Sequence, residues 1–505
     1  MDTESYDYIV IGGGSAGSIA AAELAENTDA SVLLIDAGTS PDDIPDVWDP
    51  YDNNNLYGMK DIWWKGYKTP QYSGSSTMVD VRRSKIFGGC SAVNDMVFTR
   101  GAPADFDLWA NGYGCTGWSY NDVVGAFESV QQRLDPTTGP KDEFGDAFVT
   151  ACEDMGIAFV PDYNTGLPLN GVSPLRSTIS NKVIRETSYC TYTDDGDAPN
   201  LTFVGGALVQ KIIFENNCAV GVEYAIDDAI CEVSCNREVI LCAGAINSPK
   251  ILMLSGIGEK AQLDKFGIPI IVDAPSVGKN LQDAIIFSLN WTTSQPLNVP
   301  PDAPNGNRRN EGYAITWTNL NDIQQPQTCI EMMPGLYEPH QSHSTLVNNY
   351  TITGGAMRLK SRGWVDLASA DPSVPPEINI NLYENPADME LAYESFEVAR
   401  SIGNSPALSS LRKEETTPGS SVSTPDQIKE WLLNNSWSYS HPSCTCKMGP
   451  DSGDAVVDCT LKVYGVDNLR VADASIMPEI TSGHTQAPSF MIGQRVADFI
   501  ISEQG

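Results

Sequence analysis

A chain of 505 residues can bury a large core and exceeds what one core ordinarily serves, so two domains are expected. Thirty-one basic against 65 acidic residues leave a formal net charge of −34, which excludes nucleic acid and anionic membrane surfaces as partners, because both need a positive footprint. No run approaches the roughly 18 apolar residues of a membrane span, and 12 cysteines without regular spacing read as free thiols rather than a disulfide framework.

The first apolar run, Tyr8 to Ile11, follows Asp2, Glu4 and Asp7 and opens into Gly12-Gly13-Gly14. A secretory signal has the opposite charge order, so a cytoplasmic protein is expected, with a mature secreted form as the alternative. Residues 6–11 read as a buried strand, 18–26 as an alanine-rich helix and 31–35 as a second buried strand ending at Asp36. Residues 40–75, rich in Asp, Pro, Asn and Tyr, read as an excursion over the surface. Strand signals return at 201–204, 207–214, 219–224 and 238–242, and 293–312 reads as a polar, Pro-rich loop. Mixed signals run on to about residue 435, and 487–502 has helical apolar spacing.

Gly12, Gly14 and Gly17 form G-x-G-x-x-G between the first strand and the helix. The first glycine permits the tight turn, the second lets backbone approach a pyrophosphate, and the third lets helix pack on strand. The helix N-terminus offers free N–H groups and a partial positive charge to phosphates. Asp36 lies 22 residues after Gly14, where an acid hydrogen-bonds a ribose hydroxyl. A dinucleotide site is expected. The same stretch, Gly13-Gly14-Ser15-Ala16-Gly17, also spells the G-x-S-x-G elbow of serine hydrolases. That fold needs strands ahead of the elbow, and only 14 residues precede Ser15, so the hydrolase is a remote alternative.

Five later segments carry a resemblance. They are Arg82-Arg83-Ser84-Lys85-Ile86-Phe87-Gly88-Gly89-Cys90-Ser91-Ala92-Val93-Asn94, the run from Gly244-Ala245-Ile246-Asn247-Ser248-Pro249 to Ser255-Gly256-Ile257-Gly258, and Val277-Gly278-Lys279-Asn280-Leu281-Gln282-Asp283. Near the end come His441-Pro442-Ser443-Cys444-Thr445-Cys446-Lys447-Met448-Gly449 and Leu469-Arg470-Val471-Ala472-Asp473-Ala474-Ser475-Ile476-Met477-Pro478. In this order the chain resembles the glucose-methanol-choline (GMC) family of FAD oxidoreductases. The resemblance implies an α/β (overall α+β) fold: a Rossmann-like FAD-binding domain assembled from discontinuous segments, and a substrate domain with an antiparallel sheet and helices. Residues 1–40, 76–110, 190–290 and 455–505 are expected to form the first, and 41–75, 111–189 and 291–454 the second with its excursions.

By the same resemblance Gly12, Gly14, Ser15, Gly17 and Asp36 would hold the ADP half of FAD, and Val209 would meet the adenine through its backbone. Gly89, Asn94, Asp95, Asp473, Ala474 and Gln486 would meet the rest of the cofactor. Three positions depart from the family pattern. Val93 stands where covalently flavinylated members carry a histidine, so non-covalent FAD is expected. Ala284 stands where a histidine often follows Asn-Leu-Gln-Asp, and Asp95 where a small neutral residue is usual.

Flavin-dependent alcohol oxidation moves a hydride to flavin N5 and a proton to a base, for which histidine is suited. Of the four histidines, His340 and His343 lie in a polar stretch and read as surface residues. His441 and His484 coincide with the family's catalytic pair. The expected activity is oxidation of an alcohol to an aldehyde or ketone, with O2 or another electron acceptor. A hydroxynitrile lyase of the same family, which keeps FAD without redox turnover, is the alternative. His441, Cys444 and Cys446 raise a metal reading, but Cys-x-Cys is tighter than usual zinc spacing and no second pair follows, so no metal is expected.

Overall fold

A computed structural model describes residues 4–42, 44–50, 53–138, 143–166, 171–180, 184–193, 198–227, 229–297, 312–316, 326–337 and 348–504. Ser5–Ile11 (β1), Ser15–Asn27 (α1) and Val32–Ile35 (β2) make the strand–turn–helix–strand unit that the glycines predict. β1 and β2 pair in parallel, Tyr8 opposite Val32 and Ile11 opposite Ile35, so both end level with the glycine turn. All four residues of β2 are buried. That is the pattern of a parallel strand covered on both faces.

Leu201–Val204 (β3), Leu208–Glu215 (β4), Cys218–Ile226 (β5) and Ala229–Leu241 (β6) complete a sheet of order β3-β2-β1-β6-β5-β4, with Leu469–Val471 also parallel to β6. The sequence pattern finds only the end of β6. Its first half pairs antiparallel with β5 and is half exposed, so polar residues interrupt the apolar run there. Its second half, Val239–Leu241, lies between β1 and Leu469–Val471 and is fully buried. Gly244–Leu254 (α2) follows directly.

A second sheet is antiparallel throughout. Ile285–Thr293 (β7), Gly312–Thr316 (β8), Thr328–Pro334 (β9), Asn349–Ala356 (β10) and Arg412–Thr417 (β11) run in the order β11-β7-β10-β9-β8, continued by Gly171–Ser173. Trp437–Ser438 pairs with β7. Phe287, Leu289, Ile330, Met332 and Ile352 on one face pack with Leu391, Phe396 and Ala399 of Pro386–Gly403 (α3). Successive residues along a strand alternate between its faces, so Cys329 and Glu331 of β9 point the other way from Ile330 and Met332. Cys329 packs there with Val97, Ala284 and Met357.

Part of residues 40–75 is buried instead of running over the surface. Val47 and Leu56 are fully buried with Ile62, Ile86, Ala92 and Val93, because Ile, Val, Leu and Trp scattered without period still gather against the loop after Gly88. Gln486–Gln504 (α4) closes the fold against α1, where Gly493 is required: a Cβ there would stand 2.4 Å from the carbonyl of Ala16. All twelve cysteines are free thiols. Among the described residues no helix is long and apolar enough to cross a membrane. His340, His343 and most of 293–312 lie outside the described residues.

Candidate active site

The glycine turn is held by close approach. Gly12 has φ +98°, and a Cβ on it would lie 2.5 Å from the carbonyl oxygen of Cys242 at the end of β6. A Cβ on Gly17 would fall 1.9 Å from the Gly12 oxygen. The second glycine loop docks on the first: Gly88 N–H donates to the Gly13 carbonyl at 2.7 Å, and a Cβ on Gly89 would lie 2.7 Å from Gly14 Cα. No side chain caps α1 at Gly14, and Ser15 and Ala16 of its first turn line the cavity.

One cavity runs from this turn to the histidines. Gly12, Gly14, Ser15, Asp36 and Val209 line one end, Gly89, Val93, Asn94 and Asp95 the middle, and His441, Asp473, Ala474, His484 and Gln486 the other. Gly17 stands behind the turn as a packing residue and does not line the cavity. Asp36 accepts the Gly13 N–H at 2.8 Å and the Gly38 N–H at 2.6 Å, while burial pushes its carboxyl up to about 6. Gln486 is buried with neither end of its amide hydrogen-bonded, and nothing lies within 4 Å of where a Cβ on Gly244 would point. A buried amide without partners is costly. An uncapped helix N-terminus, the polar groups of Asp36, Asn94 and Asp95 along a largely apolar cleft, and this amide are the donor and acceptor set that a flavin dinucleotide satisfies.

Asp473 lines the cavity and also ties neighbouring elements together. Its carboxylate accepts Gly244 N–H at 2.8 Å, Ser248 Oγ–H at 2.5 Å and Ser475 N–H at 2.7 Å, so it ties the start of α2 to the last motif. Asn94 Oδ1 accepts the N–H of Met96, which has φ +61°, and its carbonyl accepts from buried Arg185, which also donates to the Val47 carbonyl at 2.9 Å. These contacts present Asn94 and Asp95 to the cavity.

The two histidines converge. Their ring centroids are 5.0 Å apart with planes at 78°. Tyr439 stacks on His441 at 4.8 Å and meets His484 edge-on at 5.3 Å. Backbone strain sets up the turn, since Ser440 has φ +66°. Buried Asp283 secures it by accepting the His441 N–H at 2.9 Å, the Ser438 hydroxyl at 2.6 Å and the Ala284 N–H at 2.7 Å. Burial, then the positive fields of His484 and Arg83, hold the His441 imidazole well below its usual pKa, and its Nδ1 has no hydrogen-bond partner. His484 Nε2 donates to Glu331 Oε1 at 2.6 Å. Asp105, fully buried, accepts Ser482 N–H at 2.7 Å and pairs with Arg358 at 2.9 Å, anchoring the loop that carries His484.

Asp283, Glu331 and Tyr439 are site residues that the sequence pattern does not single out. Asp283 ends a recognised motif, which was its one signal. Glu331 is 153 positions from His484, and no period links them. Cys444 and Cys446 turn into the core under the first sheet instead of joining His441. Cys329, Glu331 and His484 do converge, their ligand atoms within 4.8 Å of one another.

The GMC oxidoreductase family pattern matches residues 6–286 with its N-terminal part and 360–493 with its C-terminal part. The oxygen-dependent choline dehydrogenase of Pectobacterium carotovorum is 34% identical over 99% of this chain and 95% of that protein. The one from Paraburkholderia xenovorans is 32% identical over 99% and 95%. Pyridoxine 4-oxidase from Mesorbium loti superposes with a TM-score of 0.87 and 29% identity over 97% of this chain and 98% of that one. A formate oxidase variant from Aspergillus oryzae shares the fold, with a TM-score of 0.91 at 23% identity over 100% and 99%. The hydrolase reading of Ser15 falls away, and this FAD-dependent oxidoreductase of CH–OH donors belongs to the GMC oxidoreductase family.

Proposed function

We propose that the protein oxidises a small primary or secondary alcohol, with His441 accepting the hydroxyl proton and His484 holding the substrate oxygen. The observation that carries this reading is the pair of imidazoles, 5.0 Å apart, at one end of the cavity that begins at the glycine turn. Bound FAD supplies the hydride acceptor. A neutral imidazole is the form that takes a proton, and the low pKa of His441 keeps it neutral. The Glu331 carboxylate fixes the His484 tautomer and orients its ring. Asp95, beside the residue that the family motif puts at the isoalloxazine, favours an alcohol bearing a positive or hydrogen-bond-donating group. The relatives' names agree with that preference, choline being a cation and pyridoxine a donor-rich ring.

FAD is held without a covalent bond, since Val93 fills the position a linking histidine would need. The division into an FAD-binding and a substrate-binding domain belongs to the same proposal. O2 or another acceptor reoxidises the enzyme. The test is anaerobic mixing with a panel of alcohols that includes choline, pyridoxine and a neutral aryl alcohol. Bleaching of the flavin is expected, fastest with a cationic or donor-bearing alcohol. A flavin that stays oxidised with every alcohol, together with cyanohydrin cleavage, would make the protein a lyase.

A further inference from the structure

Cys329 and Glu331 stand two residues apart on β9, so their side chains share the face opposite Ile330 and Met332. His484 reaches the same point from the loop before α4. The thiol, carboxylate and ring nitrogen lie within 4.8 Å of one another, and all three residues are buried. One sulfur, one oxygen and one nitrogen donor thus meet from two distant segments. Zinc takes these three donor types in four-coordinate sites, with bonds of about 2.0–2.3 Å. We propose that Cys329, Glu331 and His484 form a binding site for a thiophilic divalent cation of the zinc class, whose filling inhibits the enzyme.

Charge favours the site. A thiolate and a carboxylate against one divalent cation, with a neutral imidazole, sum to zero, so no net charge is left in the buried pocket. On binding, the thiol S–H breaks and its proton passes to solvent, and a metal–sulfur bond forms. The proton that Nε2 shares with Glu331 moves to Nδ1, which leaves a neutral imidazole whose Nε2 lone pair coordinates the ion. The Glu331–His484 contact of 2.6 Å must open to about 3.3 Å, the spacing of two ligands on one tetrahedral ion, which modest side-chain rotation supplies. Of the three ligands His484 lines the cavity, from which water or the substrate hydroxyl would complete the shell. The tyrosine Oη nearby, Tyr439, lies 3.9 Å from Cys329 Sγ. Inhibition rests on the role proposed for His484, because the ion takes Nε2 and the Glu331 carboxylate that fix the tautomer and orientation of the ring holding the substrate oxygen.

The test uses flavin-loaded enzyme, stripped with a chelator and titrated with zinc chloride near neutral pH. Affinity is read by competition with a chromophoric chelator, and the coordination shell by X-ray absorption at the zinc edge. One zinc per flavin is expected, bound through one sulfur and otherwise nitrogen and oxygen. Anaerobic flavin reduction by alcohol slows at least about tenfold and recovers with EDTA. Cys329→Ser keeps the uninhibited rate while zinc affinity drops about a hundredfold. Equal affinity in Cys329→Ser, or a shell without sulfur, overturns the site. Sulfur-bound zinc that leaves flavin reduction unchanged sustains the site and overturns the role given to His484.

Discussion

Asp283 Oδ1 accepts the backbone N–H of His441 at 2.9 Å, so a buried carboxylate, not a side chain on the imidazole itself, fixes where this histidine stands. The same carboxylate satisfies Ser438 and Ala284. Asp283→Ala leaves these buried donors without an acceptor, at about 1–3 kcal/mol each, although not additively. A loss of about 3 kcal/mol in urea denaturation is expected, with flavin reduction slowed at least tenfold by displacement of His441. Asp283→Asn keeps one acceptor and should fall between. A variant as stable and fast as the parent would remove Asp283 from the positioning of the site.

His441→Ala should slow anaerobic flavin reduction by ~10²–10⁴-fold, the usual contribution of a general base. His484→Asn should be milder, because an amide keeps a hydrogen bond to the substrate oxygen. Stopped-flow reduction traces decide this. Near-parental rates in His441→Ala would end its assignment as base.

The low pKa of His441 sets the sign of the pH response. Burial and the neighbouring positive groups disfavour its protonated form, so the base stays active as pH falls through 6.5. The acid limb of kcat/KM should therefore lie below 6.5, provided chemistry limits turnover. Folding shows the other side of the linkage: below 6.5 the unfolded chain binds this proton first, so stability declines as pH falls. An acid limb above 6.5 that vanishes in no histidine variant would contradict the assignment.

The yellow protein should release free FAD on acid or heat denaturation. Flavin that stays with the precipitate would show a covalent link. Asp36, with its carboxyl at about 6, makes retention pH-dependent: the ionised form accepts a ribose hydroxyl, so FAD affinity should weaken as pH falls through 6. Asp36→Ala should weaken binding at all pH values and flatten that dependence. Equilibrium dialysis of apoprotein with FAD measures both.

A carboxylate at Asp95 opposes negative charge gathered on the flavin during reduction. At ~6 Å and an effective dielectric of ~20 the repulsion is roughly 3 kcal/mol. Asp95→Gly should raise the reduction potential or reorder the alcohols, most against cationic ones. Potential and ranking both unchanged from acid to alkaline pH would leave Asp95 as a turn residue.

Local chemistry was legible in the sequence where it is local. The turn at Gly12, Gly14 and Gly17, the position of Asp36 at the end of β2, and α4 all follow from spacing within a few tens of residues. His441 and His484 were legible through motifs, but their 5.0 Å meeting and the stacking of Tyr439 between elements were not. Glu331 and Cys329 sit on a strand buried on both faces, where alternation carries no signal. The hydrogen bonds of Asp473 to Gly244, Ser248 and Ser475 were not legible, because its motif position says where the backbone runs and not where the carboxylate points.

The packing of Gly493 on Ala16 joins the two ends of the described chain around one cleft. Translation delivers those ends in sequence. A nascent chain makes its glycine turn long before Asp473, Gln486 and α4. The cleft is then open on one side, and α1 has no neighbour along the line where Gly493 will lie. Cofactor capture thus waits for α4, and a polypeptide cut short before it would emerge colourless even with every earlier motif intact.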